Sequence, residues 1–315
     1  MEFRTQIPLG KQANSLIDYQ SKILLLGSCF SENIGSKFEY YKFQNTINPF
    51  GILFHPKAIA TFLERVVHQK LYSEDDLIFQ NERFHCFDAH SSLSSSNKDE
   101  LVSNLNNVLK LTHQQLTEST HLIITLGTAW VYRHTERNQT VANCHKIPQK
   151  EFDKQILSTQ EITDCLQNIE QLVKKANPSI KLIYTVSPVR HIKDGFVENQ
   201  QSKAHLLAAI HQELKRCNAS YFPSYEIMMD DLRDYRFYAT DMVHPNQVAI
   251  NYIWEQFKGV WLDGSVNDTM KQVSVIQNGL AHKPFNSESE QHQQFFKKLE
   301  LKKETIINNF PFMKF

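Results

Sequence analysis

Residues 22 to 31 read Lys-Ile-Leu-Leu-Leu-Gly-Ser-Cys-Phe-Ser, an unbroken apolar run that stops at Gly27 and hands two nucleophilic side chains, Ser28 and Cys29, to a helix-like segment. A run that is apolar at successive rather than alternate positions belongs to a strand covered on both faces, as in a parallel sheet. Similar runs recur at Leu122–Leu126, Leu182–Val186 and, more weakly, Ala219–Phe222. Helical patterning lies between them, near Phe30–Tyr41, Pro56–His68, Lys98–Leu116, Thr159–Lys175 and Asn199–Cys217, with Asn246–Phe257 following the last run. Strand and helix therefore alternate, which predicts an α/β fold, a doubly wound parallel sheet between two helical layers. β-prone residues around Asn81-Glu82 and Glu136-Arg137-Asn138 predict two antiparallel excursions, over Leu77–Phe87 and Trp130–Val141.

Beyond Gly264 the composition shifts, and Ser287–Asn309 is rich in Glu, Gln, Lys and Leu. Phe295, Phe296, Leu299 and Ile306 are spaced so that a helix buries part of one side. The expected organisation is one α/β domain over residues 1–264 and a C-terminal helical extension over residues 265–315 packed on it, with a dimerisation helix as the alternative.

Charge narrows the partners. Thirty-four basic residues cancel thirty-four acidic ones, so no overall field favours a polyanion and nucleic acid is not expected. Met1–Pro8 lacks a basic start followed by an apolar stretch, and no apolar run approaches a membrane span, so a cytoplasmic location without membrane association is expected. Five cysteines with no C-x-x-C pair fit reduced thiols and no structural metal. The chain has no G-x-G-x-x-G and no P-loop, so no nucleotide cradle is indicated.

Nucleophilic catalysis needs a nucleophile, a base, a group that orients the base, and donors for the oxyanion. Cys29 or Ser28 supplies the first; near a helix N-terminus a thiol tends toward the thiolate, which favours Cys29. Asp241-Met242-Val243-His244 supplies the others, with His244 as base and Asp241 holding its ring. Each motif alone has a plain alternative, a small-residue turn or a chance D-x-x-H, and only together do they point to acyl transfer. Other candidates are weaker. Cys144-His145 are neighbours expected to point apart and to shape a pocket rather than catalyse; His85, Cys86, Asp88 and His90 read as a polar surface loop rather than a metal site; Lys203 reads as a solvated helix position. Arg190 follows the third strand and either makes a structural pair or recognises an anionic group.

Gly27-Ser28-Cys29-Phe30, followed by Ser31-Glu32-Asn33-Ile34-Gly35, resembles the GSCFA domain, which is grouped with the SGNH/GDSL hydrolases; Ser31 replaces the final alanine of the naming motif. The resemblance continues through Asn48–Gly51, Leu126–Trp130, Asn143–Lys146, Ser187–His191 and Asp241–Asn246. It implies an SGNH-like, flavodoxin-like three-layer fold and a Cys29-His244-Asp241 site, with Ser28 where those enzymes carry aspartate. Gly51 and Gly127 resemble glycines of the second and third motif blocks, Gly51 as an oxyanion donor. Ala129 stands where the third block has a donating asparagine, which leaves Asn48 or Asn143 to replace it. The implied activity is hydrolysis of an ester or thioester of a small molecule or carbohydrate through an acyl-enzyme, without a cofactor. The alternatives are an acyltransferase with a donor such as coenzyme A, or a ligand-binding protein that has lost turnover. The oligomeric state is left open.

Overall fold

The computed structural model describes residues 5–286 and 289–315. Its central sheet has five parallel strands, β1 (Lys22–Gly27), β2 (Gln44–Ile47), β3 (His121–Leu126), β4 (Lys181–Val186) and β5 (Ser220–Phe222), in the spatial order β5-β4-β3-β1-β2. The helices are α1 (Cys29–Tyr40), α2 (Pro56–His68), α3 (Lys98–Glu118), α4 (Thr159–Ala176), α5 (Phe196–Glu213), α6 (Gln247–Trp261), α7 (Val266–Ala281) and α8 (Glu290–Asn309). A short helix, Ser224–Glu226, runs into a π-helical turn at Ile227–Leu232.

The apolar runs form strands because both sheet faces are covered. Leu24, Leu26, Leu122, Ile124, Leu126, Leu182, Tyr184 and Val186 pack with α2, α3, α4 and α5 in one core. The intervening Ile23, Leu25, Ile123 and Ile183 pack with α1, α6, α7 and α8 in the other. Side chains alternate across a strand, so every position in these runs meets a helical layer. This is the expected three-layer α/β/α architecture. The order in which strands are added reverses between β1 and β3: β2 lies on one side of β1, and all later strands lie on the other. A doubly wound sheet has its natural crevice at that switch, outside the carboxyl ends of the strands.

Several elements depart from expectation. Gln44–Ile47 carries too little apolar surface to read as a strand, yet it pairs with β1 as the half-buried edge. The first excursion is a hairpin of Leu77–Gln80 with Arg83–Cys86, turning through Asn81 and Glu82, both at positive φ as a type I′ turn requires. The second gains a third strand: Trp130–His134 pairs with Gln139–Val141 and also with Phe152–Ile156. Helix α5 ends at Glu213, leaving Cys217 in the turn before β5.

Helix α7 lies in the C-terminal extension before the predicted tail helix, where the sequence reading placed no specific element. The tail helix itself is α8; Ser287 and Glu288 of the predicted segment lie outside the described residues. Leu299 and Ile306 are buried, whereas Phe295 and Phe296 remain 40% and 39% exposed. Gly279 allows the close approach of α8 to α7, since a Cβ there would meet Leu299 Cδ1 at 2.6 Å. Among the described residues no helix is long and apolar enough to cross a membrane.

Candidate active site

Strand β1 ends at Gly27 with φ +136°, and a Cβ there would strike the Thr125 backbone, 2.8 Å from its carbonyl carbon. Glycine alone lets β1 turn this close to β3. Gly27 N–H donates to Asn48 Oδ1 (2.9 Å), its carbonyl accepts from Leu53 N–H (3.1 Å), and Ser28 N–H donates to Thr125 O (3.0 Å). These bonds fix where α1 starts. Ser28 is its N-cap, 1% exposed, with Oγ accepting from Phe30 N–H at 3.2 Å. Cys29 is the first helical residue and is half-buried. The thiolate expected from the helix N-terminus is opposed here. Burial, followed by Glu32, pushes the Cys29 thiol up, against the Cys29 and Phe30 N–H groups and Lys203. Burial also lifts Cys144 and Cys165, each to about 11, and Cys86 further.

Asp241 and His244 form a self-contained dyad. Asp241 Oδ1 accepts from Val243 N–H (2.8 Å) and His244 N–H (3.0 Å), while Oδ2 accepts from His244 Nδ1 at 2.7 Å. Hydrogen bonds from the backbone of His244 and Val243, then from the His244 ring, hold the Asp241 carboxyl down at about 2. With Nδ1–H given to the carboxylate, Nε2 carries the lone pair. Arg190 braces this loop. Its N–H donates to Val243 O (3.2 Å), and its guanidinium lies 4.0 Å from the Tyr238 ring centroid and 5.1 Å from that of Tyr235. The structural alternative for Arg190 is the one with visible contacts. Among the described residues neither Ser28 nor Cys29 is hydrogen-bonded to His244, whose side chain is 47% exposed.

The predicted oxyanion donors are differently placed. Gly51 N–H, the expected oxyanion donor, donates to Asn48 O at 2.7 Å within its own turn. Asn48, with φ +41°, accepts from Gly27 N–H at Oδ1 and keeps its Nδ2 buried without a partner. Asn143 is turned to its own loop: Oδ1 accepts from His145 N–H (2.9 Å) and Nδ2 reaches Ser91 Oγ only at 3.5 Å. Gly127 donates to Phe54 O (2.7 Å), and Ala129 N–H donates to Ser202 Oγ (2.7 Å).

A cleft of about 400 Å³ is lined by Phe54, Thr128, Trp130, Tyr132, Asn143, Cys144 and His145, and neither Cys29 nor His244 is in its lining. Cys144 and His145 both contribute to its lining. His145 Nε2–H donates to Cys86 O (2.7 Å), leaving buried Nδ1 unpartnered, and burial pushes the ring down to about 4. His191 also lines the cleft and has its Nε2 buried without a partner. Burial, then Lys203 and His244, pushes the His191 ring down to about 3.

Two polar groups belong inside rather than outside. His85, Cys86 and Asp88 are buried, not a surface loop: His85 stands between Ser94 Oγ and Gln80 O, and Asp88 Oδ2 pairs with Arg65 Nε at 3.2 Å. Lys203 is only 1% exposed, with Nζ donating to Gly127 O (2.7 Å) and Ser187 O (2.8 Å). The signal was present, because Lys203 falls in phase with Asn199, Leu206 and Ile210 on the buried stripe of α5. Among the described residues one group has metal-ligating atoms within 4.8 Å of one another, Glu170, Glu213 and Cys217, before the amino end of β5 and apart from this site.

Residues 22–257 match the GSCFA family, and residues 273–315 match the GSCFA domain protein, C-terminal domain; the chain belongs to the GSCFA family. No curated protein matches it significantly. Among solved structures it is similar to a carbohydrate esterase family 3 from Talaromyces cellulolyticus, at 10% identity and TM-score 0.37, over 80% of this chain and 98% of that one. An acetyl esterase mutant with acetate ion is similar at 11% identity and TM-score 0.37, over 80% and 99%. An acetyl xylan esterase from the rumen bacterium Butyrivibrio proteoclasticus is similar at 10% identity and TM-score 0.38, over 84% and 65%. Function belongs to the site rather than to a shared architecture.

Proposed function

We propose that this GSCFA-family chain hydrolyses ester or thioester bonds through an acyl-enzyme on Cys29. The observation that carries the reading is the Asp241–His244 hydrogen bond of 2.7 Å, which leaves His244 Nε2 as a base in a chain whose nucleophile stands at the sheet's switch point. His244 Nε2 takes the Cys29 thiol proton, and Sγ attacks the acyl carbonyl carbon to give a tetrahedral oxyanion. Collapse breaks the bond to the leaving alcohol or thiol, which receives the proton from His244. A water molecule, deprotonated by the same nitrogen, then attacks the thioester, releases the carboxylic acid and restores the thiol. Ser28 is assigned a structural part, since its Oγ caps α1. The oxyanion donors are assigned to Cys29 N–H and to the unpartnered Asn48 Nδ2, which stands in for the asparagine absent at Ala129. The cleft lined by Trp130, Tyr132 and His145 is assigned to the rest of the substrate, with a carbohydrate or small-molecule ester as its occupant.

Reaction with p-nitrophenyl esters and acyl-coenzyme A compounds, followed by intact mass and peptide mapping, tests this. The expected result is a transient acyl adduct on Cys29 that accumulates in His244→Ala when reactive esters are used. An adduct on Ser28, or turnover with no adduct in any variant, overturns the assignment.

A further inference from the structure

Glu213 is the last residue of α5 and only 1% exposed, yet its Oε2 is buried without a hydrogen-bond partner. Burying a carboxyl oxygen with nothing to bind is costly whether or not the group carries its proton, and a carboxylate at the negative end of a helix is disfavoured further. The side chain is not alone. Glu170, on α4, and Cys217, in the turn before β5, bring their ligating atoms within 4.8 Å of it and of each other. The backbone builds this meeting: Arg216 N–H donates to Glu213 O (2.8 Å), a tight turn that carries the chain back so that Cys217 returns to Glu213. Gln167, one turn before Glu170, hydrogen-bonds the Glu213 carboxyl. Among the described residues neither carboxyl makes a salt bridge, and the Arg216 side chain, which acts on Glu213, is exposed.

We propose that Glu170, Glu213 and Cys217 bind one zinc ion, with water in the fourth position, and that the ion clamps α4 to the end of α5 and to the turn entering β5. Donors about 2.0–2.3 Å from a tetrahedral zinc ion stand about 3.5 Å from one another. Three atoms already inside 4.8 Å reach that arrangement by small side-chain adjustments. A thiolate beside two carboxylates suits zinc better than magnesium or calcium, which take oxygen ligands. Burial pushes the Cys217 thiol and the Glu213 carboxyl up, so a bound cation takes the place of their protons. Glu170 and Cys217 are half-buried, which leaves the ion a path from solvent. No C-x-x-C pair marks the site, because its ligands come from two helices and a turn that only the packing of α4 on α5 brings together. The site lies before the amino end of β5, whereas Cys29 follows the carboxyl end of β1, so the clamp stands apart from the acyl chemistry.

The test is metal titration of the full chain, freed of metal with a chelator and kept reduced. Cobalt(II), which occupies zinc sites and reports thiolate ligation through its charge-transfer absorption, should bind as one equivalent and be displaced by zinc. Zinc affinity is then read by competition with a chromophoric chelator. Cys217→Ser should abolish the charge-transfer band, Glu213→Gln and Glu170→Gln should each weaken zinc by at least about tenfold, and Cys165→Ser should change neither readout. Zinc should also raise the urea midpoint of the parent chain and leave that of Glu213→Gln unmoved. Should Glu213→Gln not fold, Glu170→Gln and Cys217→Ser, at half-buried positions, carry the comparison. A parent chain without a cobalt–thiolate band, a band that persists in Cys217→Ser, or zinc affinity unchanged in the glutamate variants overturns the proposal. Zinc-free protein in which Glu213→Gln is the more stable chain overturns it in favour of two carboxyls sharing a proton.

Discussion

Acidification tests how the floor of the site is held, through His55. This residue is 2% exposed and caps α2, its Nδ1 accepting from Ala58 N–H (3.1 Å) and its Nε2–H donating to Val141 O (3.0 Å). The preceding residue, Phe54, supplies the carbonyl that binds Gly127 and Thr128 N–H. Both ring nitrogens of His55 are in use, one as donor and one as acceptor, so the fold accommodates only the neutral ring, and burial pushes it from 6.5 down to about 4. Above 6.5 folded and unfolded chains are both neutral at this position and His55 gives no pH dependence. As pH falls below 6.5 the unfolded chain binds a proton that the folded chain refuses, so stability is lost, and the loss levels off below the folded value. Integrated from pH 7.5 to pH 4.5, this amounts to about 2.5 kcal/mol. His145 and His191 act in the same sense, so the contribution must be isolated by His55→Asn, which caps a helix well and does not titrate. Urea unfolding followed by far-UV circular dichroism should find the variant about 1 kcal/mol less stable at pH 7.5, for the lost bond to Val141. By pH 4.5 it should be the more stable protein, the difference having moved by roughly 2–3 kcal/mol. A difference that stays constant across this range refutes the reasoning.

Once a substrate is in hand, Cys29→Ala and His244→Ala should each abolish most turnover, whereas Ser28→Ala should keep a measurable fraction and lose about 1 kcal/mol of stability as a missing cap. Loss in Ser28→Ala with full activity in Cys29→Ala would transfer the nucleophile to Ser28. Asn48→Ala should lower kcat by on the order of a hundred- to a thousandfold with little change in KM, as for a donor used in the transition state; a change confined to KM argues against that role. Gly27→Ala should cost at least 2 kcal/mol by order of magnitude, because a methyl meets the Thr125 backbone at a positive φ, and an unchanged melting temperature would contradict the packing described.

The layered fold was legible because its signal is local. Runs such as Ile23–Leu26 and Leu182–Val186 are apolar at every position, and only a strand covered on both faces uses such a run fully. Asp241 and His244 were legible for the same reason: a three-residue spacing lets one tight turn join them, whatever the rest of the chain does. The edge strand β2 was not, since a half-buried Gln-Asn-Thr-Ile segment becomes a strand only when β1 offers its free edge. Nor could sequence decide what the polar atoms of the site bind. Gly51 matches a glycine block, yet its N–H is consumed by Asn48 O, while Asn48 accepts from Gly27 N–H at Oδ1 and leaves its Nδ2 without a partner. Lys203 shows the division most clearly. Its phase on the α5 stripe is a property of the sequence, but a lysine in that phase can extend along a helix to solvent as readily as it can bury. What decides is the registry of β3 against β4, which brings the carbonyls of Gly127 and Ser187 together and gives a buried ammonium the acceptors it needs to stay there.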